Sequence, residues 1–399
     1  MKLGLCSSVR ILAALGSSTL PMFAGAIYTQ QNLVSDIPGE AALTDPNLVN
    51  PWGLSSSATS PWWVSDNGTG LATLYNGNTG APSSLVVTIP PPAGGTPPAA
   101  PTGVVFNSTA SSFVVNGGAK ASFIFATEDG TISAWNGAQG TKAFLEVDNS
   151  GSGAVYKGLA LGTSGANNFL YATNFNSGNI DVFNGSFAPT TVPGGFTDPN
   201  IPAGFAPFDI QNIGGMLYVT YAKQNAAKHD DVAGPGNGFV DEFDTSGNLI
   251  QRLDSNGTLD SPWGLALAPS SFGMYSGDLL VGNFGDGMID VFSPTAPDDF
   301  LGTLDDSDGN PITIEGLWGL GFGNGGSAGP TSSLYFTAGI PGGGNIEDHG
   351  LFGDITVATS PEPATGWMIG GAFGLLLLVQ NWRGKSRNRD GKPNTIQYR

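Results

Sequence analysis

Pro51-Trp52-Gly53-Leu54, Thr102-Gly103-Val104, Lys157-Gly158-Leu159, Pro207-Phe208-Asp209-Ile210, Pro262-Trp263-Gly264-Leu265 and Leu317-Trp318-Gly319-Leu320 are one phrase written six times. With Gly53, Gly103, Gly158, Phe208, Gly264 and Gly319 as markers, the steps are 50, 55, 50, 56 and 55 residues. Each phrase is followed by a short apolar run that ends in a small or hydroxyl residue and usually a polar one. Trp62-Trp63-Val64-Ser65-Asp66, Ile124-Phe125-Ala126-Thr127-Glu128, Leu170-Tyr171-Ala172-Thr173-Asn174 and Leu279-Leu280-Val281-Gly282-Asn283 are examples. A third run follows a Gly-rich turn, as in Gly178-Asn179-Ile180-Asp181-Val182-Phe183 and Gly287-Met288-Ile289-Asp290-Val291-Phe292. Strand, strand, Gly turn, strand is an antiparallel meander. Repeated at this period it predicts an all-β, six-bladed β-propeller.

Composition agrees. The 61 glycines and 28 prolines supply many tight turns. The sixth repeat has only three strands, at 317–323, 334–338 and 351–357. The run Tyr28-Thr29-Gln30-Gln31-Asn32-Leu33-Val34 has strand character and no other home. It is expected to zip the ring as the outer strand of the last blade, because an unpaired edge is a liability.

The ends read differently. Residues 1–26 have the form of a secretory signal: Lys2 and Arg10, an apolar run from Ile11 to Phe23, and Ala24-Gly25-Ala26 with cleavage expected after Ala26. Cys6, the single cysteine, falls inside it. The propeller is expected over 27–358 and a tail over 359–399. In the tail, Pro361-Glu362-Pro363 precedes an apolar run from Ala364 to Trp382, then Arg383, Lys385, Arg387 and Arg389. Such a run is long enough to span a bilayer, and the basic cluster favours a cytoplasmic end. The order of motif, span and basic cluster resembles the PEP-CTERM sorting signal of Gram-negative, biofilm-forming bacteria. That resemblance implies export and processing by an exosortase-type membrane peptidase at Pro361-Glu362-Pro363. It also implies an inner-membrane precursor and then residence in the periplasm, at the cell surface or in the matrix. An ordinary single-span anchor is the alternative.

Between residues 27 and 360 there are 30 acidic and 6 basic residues, a net charge of −24. Such a surface repels nucleic acid and anionic lipid. It suits solubility alone, or surroundings rich in divalent cations and neutral sugars, so that an extracellular polysaccharide is a candidate partner.

Strand order places the starts of the first strands and the ends of the second strands on one face. There lie Trp52, Trp263 and Trp318, able either to stack on sugars or to wedge between blades. Asp66, Glu128, Asn174 and Asn283 end second strands. They suggest either a ring of hard oxygen ligands for Ca²⁺ or side chains that bond turn backbone. Two long turns on this face hold the only histidines, in Lys228-His229-Asp230-Asp231 and Glu347-Asp348-His349. Each His either forms a site or bonds a neighbouring Asp to hold its loop. Asp305-Asp306-Ser307-Asp308-Gly309-Asn310 lacks Asp at the first place of an EF-hand and is expected to be a solvated turn.

The stretch from Trp52 to Asn76 resembles an NHL-type repeat. Asn50-Pro51-Trp52-Gly53-Leu54, Lys228-His229-Asp230-Asp231 and Asp348-His349-Gly350 resemble a family of secreted bacterial propeller proteins that often carry PEP-CTERM tails. That family implies a fold and a location but no activity. The polar ring is similar in place to the metal ring of six-bladed lactonases of the gluconolactonase and paraoxonase type. Two functions follow as expectations: a cell-surface or matrix-associated binding protein, and, as the alternative, a calcium-dependent lactonase or esterase with His229 or His349 as base.

Overall fold

The computed structural model describes residues 27–254 and 257–358. Ala26, Pro361-Glu362-Pro363 and the Ala364–Trp382 run lie outside the described residues. Among the described residues no helix is long and apolar enough to cross a membrane.

Six antiparallel sheets form the ring. Their inner strands are Pro51–Ser55, Pro101–Phe106, Tyr156–Ser164, Phe205–Ile213, Pro262–Leu267 and Leu317–Phe322. The second strands are Trp62–Asp66, Phe123–Thr127, Asn167–Asn174, Met216–Lys223, Leu279–Asn283 and Leu334–Ala338. Third and outer strands complete each meander. The last blade is completed from the other end of the chain: Tyr28–Ser35 pairs antiparallel with Leu351–Val357, and Leu43–Thr44 adds a short parallel fifth strand. Closure is therefore by the N-terminal strand, as the sequence suggests. Tyr28 anchors it, donating its hydroxyl to the Phe272 carbonyl of the fifth blade at 3.1 Å.

The repeated phrase is a bulge. On all six inner strands the register gains one residue just after the position of Pro51, against the end of the second strand. A bulge re-aims side chains and bends the strand. Here it brings neighbouring inner strands close: a Cβ on Gly53 would lie 2.5 Å from the Thr102 carbonyl oxygen. The register also corrects the fourth marker. Phe208 matches Trp52, and Asp209 stands where the other blades have glycine.

The hydroxyl of the second phrase now has a role. Thr173 Oγ1 accepts from the bulge N–H of Gly158 at 2.6 Å and donates to the Phe208 carbonyl of the next blade at 3.0 Å. Thr337 does the same between Gly319 N–H and the Trp52 carbonyl. Apolar side chains fill the spaces between blades. Phe183, Phe243 and Phe292 are buried there, as expected of third-strand aromatics.

Candidate functional site

The bulge places one residue per blade around the mouth of the central channel: Trp52, Thr102, Lys157, Phe208, Trp263 and Trp318. The three Trp are at most 4 % exposed. Trp52 stacks on Trp318 with ring centres 3.5 Å apart, Phe284 stacks on Trp318 at 4.1 Å, and Trp263 meets both indoles edge-on. With Phe208 and Phe175 they form one buried cluster that plugs this end of the channel. Of the two readings of these indoles, stacking on sugars or wedging between blades, their burial in this cluster favours the second.

Lys157 is the exception in the ring. It is 1 % exposed. Its ammonium lies 4.7 Å from the Trp52 ring centre, 5.7 Å from Phe175 and 5.9 Å from Phe208. Cation–π attraction offsets part of the cost of desolvating it. Glu128 supplies the countercharge through a direct ion pair with Nζ. A hydrogen-bonded chain then runs back around the mouth. Asn67 donates to Glu128 Oε2 at 2.9 Å, and Asn50 donates to Asn67 at 3.3 Å and to Glu347 at 3.1 Å. Trp318 Nε1 donates to Asn50 Oδ1 at 3.2 Å. Four blades are thus tied by one polar network over an aromatic floor.

Glu347 sits on the sixth-blade turn in the left-handed region, at φ 74°. Burial, only partly offset by the Asn50 bond, and the negative charge of Glu128 push its carboxyl up to about 7. Asp230 goes the other way. Partial burial works against it, but the His229 hydrogen bond and the charges of Lys157 and His229 hold it below the usual carboxylate range. Burial raises the carboxyl of neighbouring Asp231. His229 Nδ1 is 2.7 Å from Asp230 Oδ1, and Asn225 braces the other Asp230 oxygen at 3.1 Å. Glu128, His229 and Asp230 each offer a ligand atom within 4.8 Å of the others, although they come from the second and fourth blades.

The other expected ligands are placed apart. Register shows why: the second-strand residue opposite Pro51 is Asp66, and its counterparts are Thr127, Asn174, Tyr221 and Asn283. Glu128 is one residue further on, and successive residues of a strand face opposite ways. Glu128 shares its place with Asn67, Phe175 and Phe284, whose N–H groups likewise bond the carbonyl before the inner strand of their blade. Asn174 and Asn283 turn inward and donate to Asp181 and Asp290 of their own third strands, at 3.0 and 3.1 Å. Asp66 is fully buried, and burial raises its carboxyl well above the usual range. Of the two readings of these residues, a ligand ring or bonds to turn backbone, Asn174 and Asn283 follow the second, accepting loop N–H groups from Val155, Ser177 and Asp260, while Glu128 joins the His229 and Asp230 cluster.

The two histidines also part company. His349 Nδ1 lies 2.7 Å from Asp36 Oδ2, and Asp36 Oδ1 accepts the Gly350 N–H at 2.8 Å. His349 therefore latches the segment that follows the closing strand. Asp348 accepts the Asn345 N–H at 2.6 Å within its own turn. The Asp305–Asn310 segment is a turn in which Asp306 Oδ1 accepts two backbone N–H groups. Asn50, Asn67 and Lys157 were not singled out by sequence. Lys157 carries a legible signal, because it is the one charge at the Trp position of the repeat.

No family model matches this chain. It is 33% identical over 300 residues to uncharacterised protein R648 of Acanthamoeba polyphaga mimivirus, covering 72% of each chain. It is 32% identical over 313 residues to protein L690 of the same virus, covering 75% of this chain and 80% of that one. Among solved structures, an α-L-arabinanase from Penicillium chrysogenum complexed with arabinobiose superposes with TM-score 0.49 at 11% identity, over 82% of this chain and 98% of that one. At that identity the likeness is of fold alone.

Proposed function

The chain belongs to the family of mimivirus proteins R648 and L690, and from that premise we propose that it is an exported binding protein whose channel mouth holds a divalent cation. The observation that carries this reading is the convergence of Glu128, His229 and Asp230 within 4.8 Å. Lys157 neutralises Glu128, but Asp230, held below the usual carboxylate range, keeps its charge at the same opening and attracts a cation. One imidazole nitrogen with carboxylate oxygens suits Mn²⁺ or Zn²⁺ better than Ca²⁺, which prefers oxygen alone. The His229 and Asp230 side chains are 46% and 62% exposed. Their outward faces leave coordination positions for a ligand's own oxygens, such as the hydroxyls of a neutral extracellular polysaccharide.

Equilibrium dialysis of the purified protein against Mn²⁺ tests this. One ion per chain is expected, with His229→Ala weakening binding about tenfold or more. Unchanged binding in that variant would remove the site.

Export belongs to the same proposal. The motive is the contrast between a span of −24 and a basic tail. A reporter active only in the cytoplasm, fused after residue 360 with the Ala364–Trp382 run removed, is expected to be silent. Activity there would place the propeller inside the cell. A second reading, ester or lactone hydrolysis at the same mouth, is favoured by one feature: Glu347 is held up near 7 while Asp230 is held down. Paired groups pushed apart in this way can divide acid and base roles. Lactone hydrolysis that disappears in Glu347→Gln would select it over binding alone.

A further inference from the structure

Below the aromatic plug the channel is open. Its cavity is about 440 Å³, within the size range of small-molecule sites. Ser55, Phe106, Leu161 and Asn212, towards the far ends of their inner strands, line it, so it opens on the face opposite the mouth. The rest of the wall is uncharged and mixed: Leu54, Val104, Leu159, Ile210, Leu265 and Leu320 alternate with polar groups that include Ser56, Ser108 and Gln211.

One ionisable residue lines this cavity, Asp209. It occupies the place that glycine holds in the other five blades. Room is made for it from next door: a Cβ on Gly158 would sit 2.3 Å from Asp209 Oδ1. The bulge is held in the ordinary way, with the Asp209 N–H donating to Thr220 Oγ1 at 2.9 Å. The carboxyl has no basic residue beside it in the wall. Desolvation pushes it up to about 7, with only the Ile210 N–H acting against this. The plug needs no such group, and nothing in the bulge geometry calls for a carboxylate where five glycines serve.

A single carboxylate is too few ligands for a hard divalent ion, which takes six or more oxygens. One carboxylate on an otherwise uncharged wall, with Leu159, Ile210 and Leu265 also in the lining, matches one ammonium on a short aliphatic stem. We propose that the channel below the plug binds a small organic ammonium, a primary amine on a short aliphatic chain, with Asp209 as counter-ion and the face opposite the mouth as the way in. This site is separate from the mouth and stands whether or not a metal binds there.

The probe is n-butylammonium, with 1-butanol as the neutral comparison, followed by saturation-transfer NMR and calorimetry on the purified protein. The amine is expected to bind more than about tenfold tighter than the alcohol, as unpairing a desolvated charge is costly. Asp209→Asn is expected to abolish that preference while leaving the thermal unfolding transition cooperative. If the variant does not fold, the amine-to-alcohol ratio in the natural chain decides alone. Equal binding of amine and alcohol, an undiminished preference in Asp209→Asn, or a preference lost instead in Asp230→Asn would each overturn the assignment.

Discussion

Lys157 shows how one residue changes the character of a repeat. Five blades put an aromatic or a small neutral residue at the bulge; the third puts a cation there and must neutralise it. Removing one partner of a buried pair leaves an uncompensated charge, which costs far more than the pair contributes. Lys157→Met is therefore expected to destabilise by about 3 kcal/mol, with Glu128 stranded near the aromatic floor. Adding Glu128→Gln should restore most of the loss, since the buried charge is then gone. Chemical denaturation of the single and double variants measures both. A double variant no more stable than Lys157→Met would show that packing of the lysine stem, and not charge, is what matters. None of this partnership is visible in Lys157-Gly158-Leu159 as a string, because Glu128 lies in another blade.

At the scale of the element, the unit is a bulge with its threonine. The strand end of the second phrase reads Thr173 or Thr337 because one hydroxyl accepts the N–H that the bulge leaves unpaired and donates to the next blade. Thr173→Val keeps the shape and removes both bonds. An unsatisfied buried N–H costs about 1–3 kcal/mol, and Thr173 is fully buried. The variant is expected to lose about 2 kcal/mol of unfolding free energy and to gain hydrogen exchange at Gly158. Protection at Gly158 equal to that of the natural chain would argue against the bond. The sequence displayed this hydroxyl but not its use. Strand order and meander were legible because period-2 runs and Gly turns are local; that Glu128 lies one residue beyond the strand position shared by Asp66, Asn174 and Asn283 was not.

For the whole molecule, the buried carboxyls set the response to pH. Burial raises Asp209, Asp290 and Glu347 to about 7 and Asp354 to about 6. Each binds a proton more tightly folded than unfolded, so its contribution is fully present below about pH 4. It is lost as pH rises through 6 to 7. Groups held low, such as Asp148 and Asp244, act only below that window. The thermal midpoint is therefore expected to be higher at pH 5 than at pH 8. A midpoint that rises across that interval would contradict the assignment of neutral carboxyls in the folded ring.

The sequence alone determined the number of blades, their strand order, the closing role of Tyr28–Ser35 and the face on which His229 and Glu347 lie. Each of these follows from repeat period, alternation and turn chemistry, which act over a few residues. Only the tertiary structure decided which side chains share a site. It buried Trp52, Trp263 and Trp318 as a plug, set Asp209 among glycines on the channel wall and sent His349 to Asp36. It also joined Glu128 to Lys157, His229 and Asp230 across blades. Those outcomes depend on inter-blade spacing and on a register shift of one residue, and neither is encoded in the neighbourhood of any single residue along the chain.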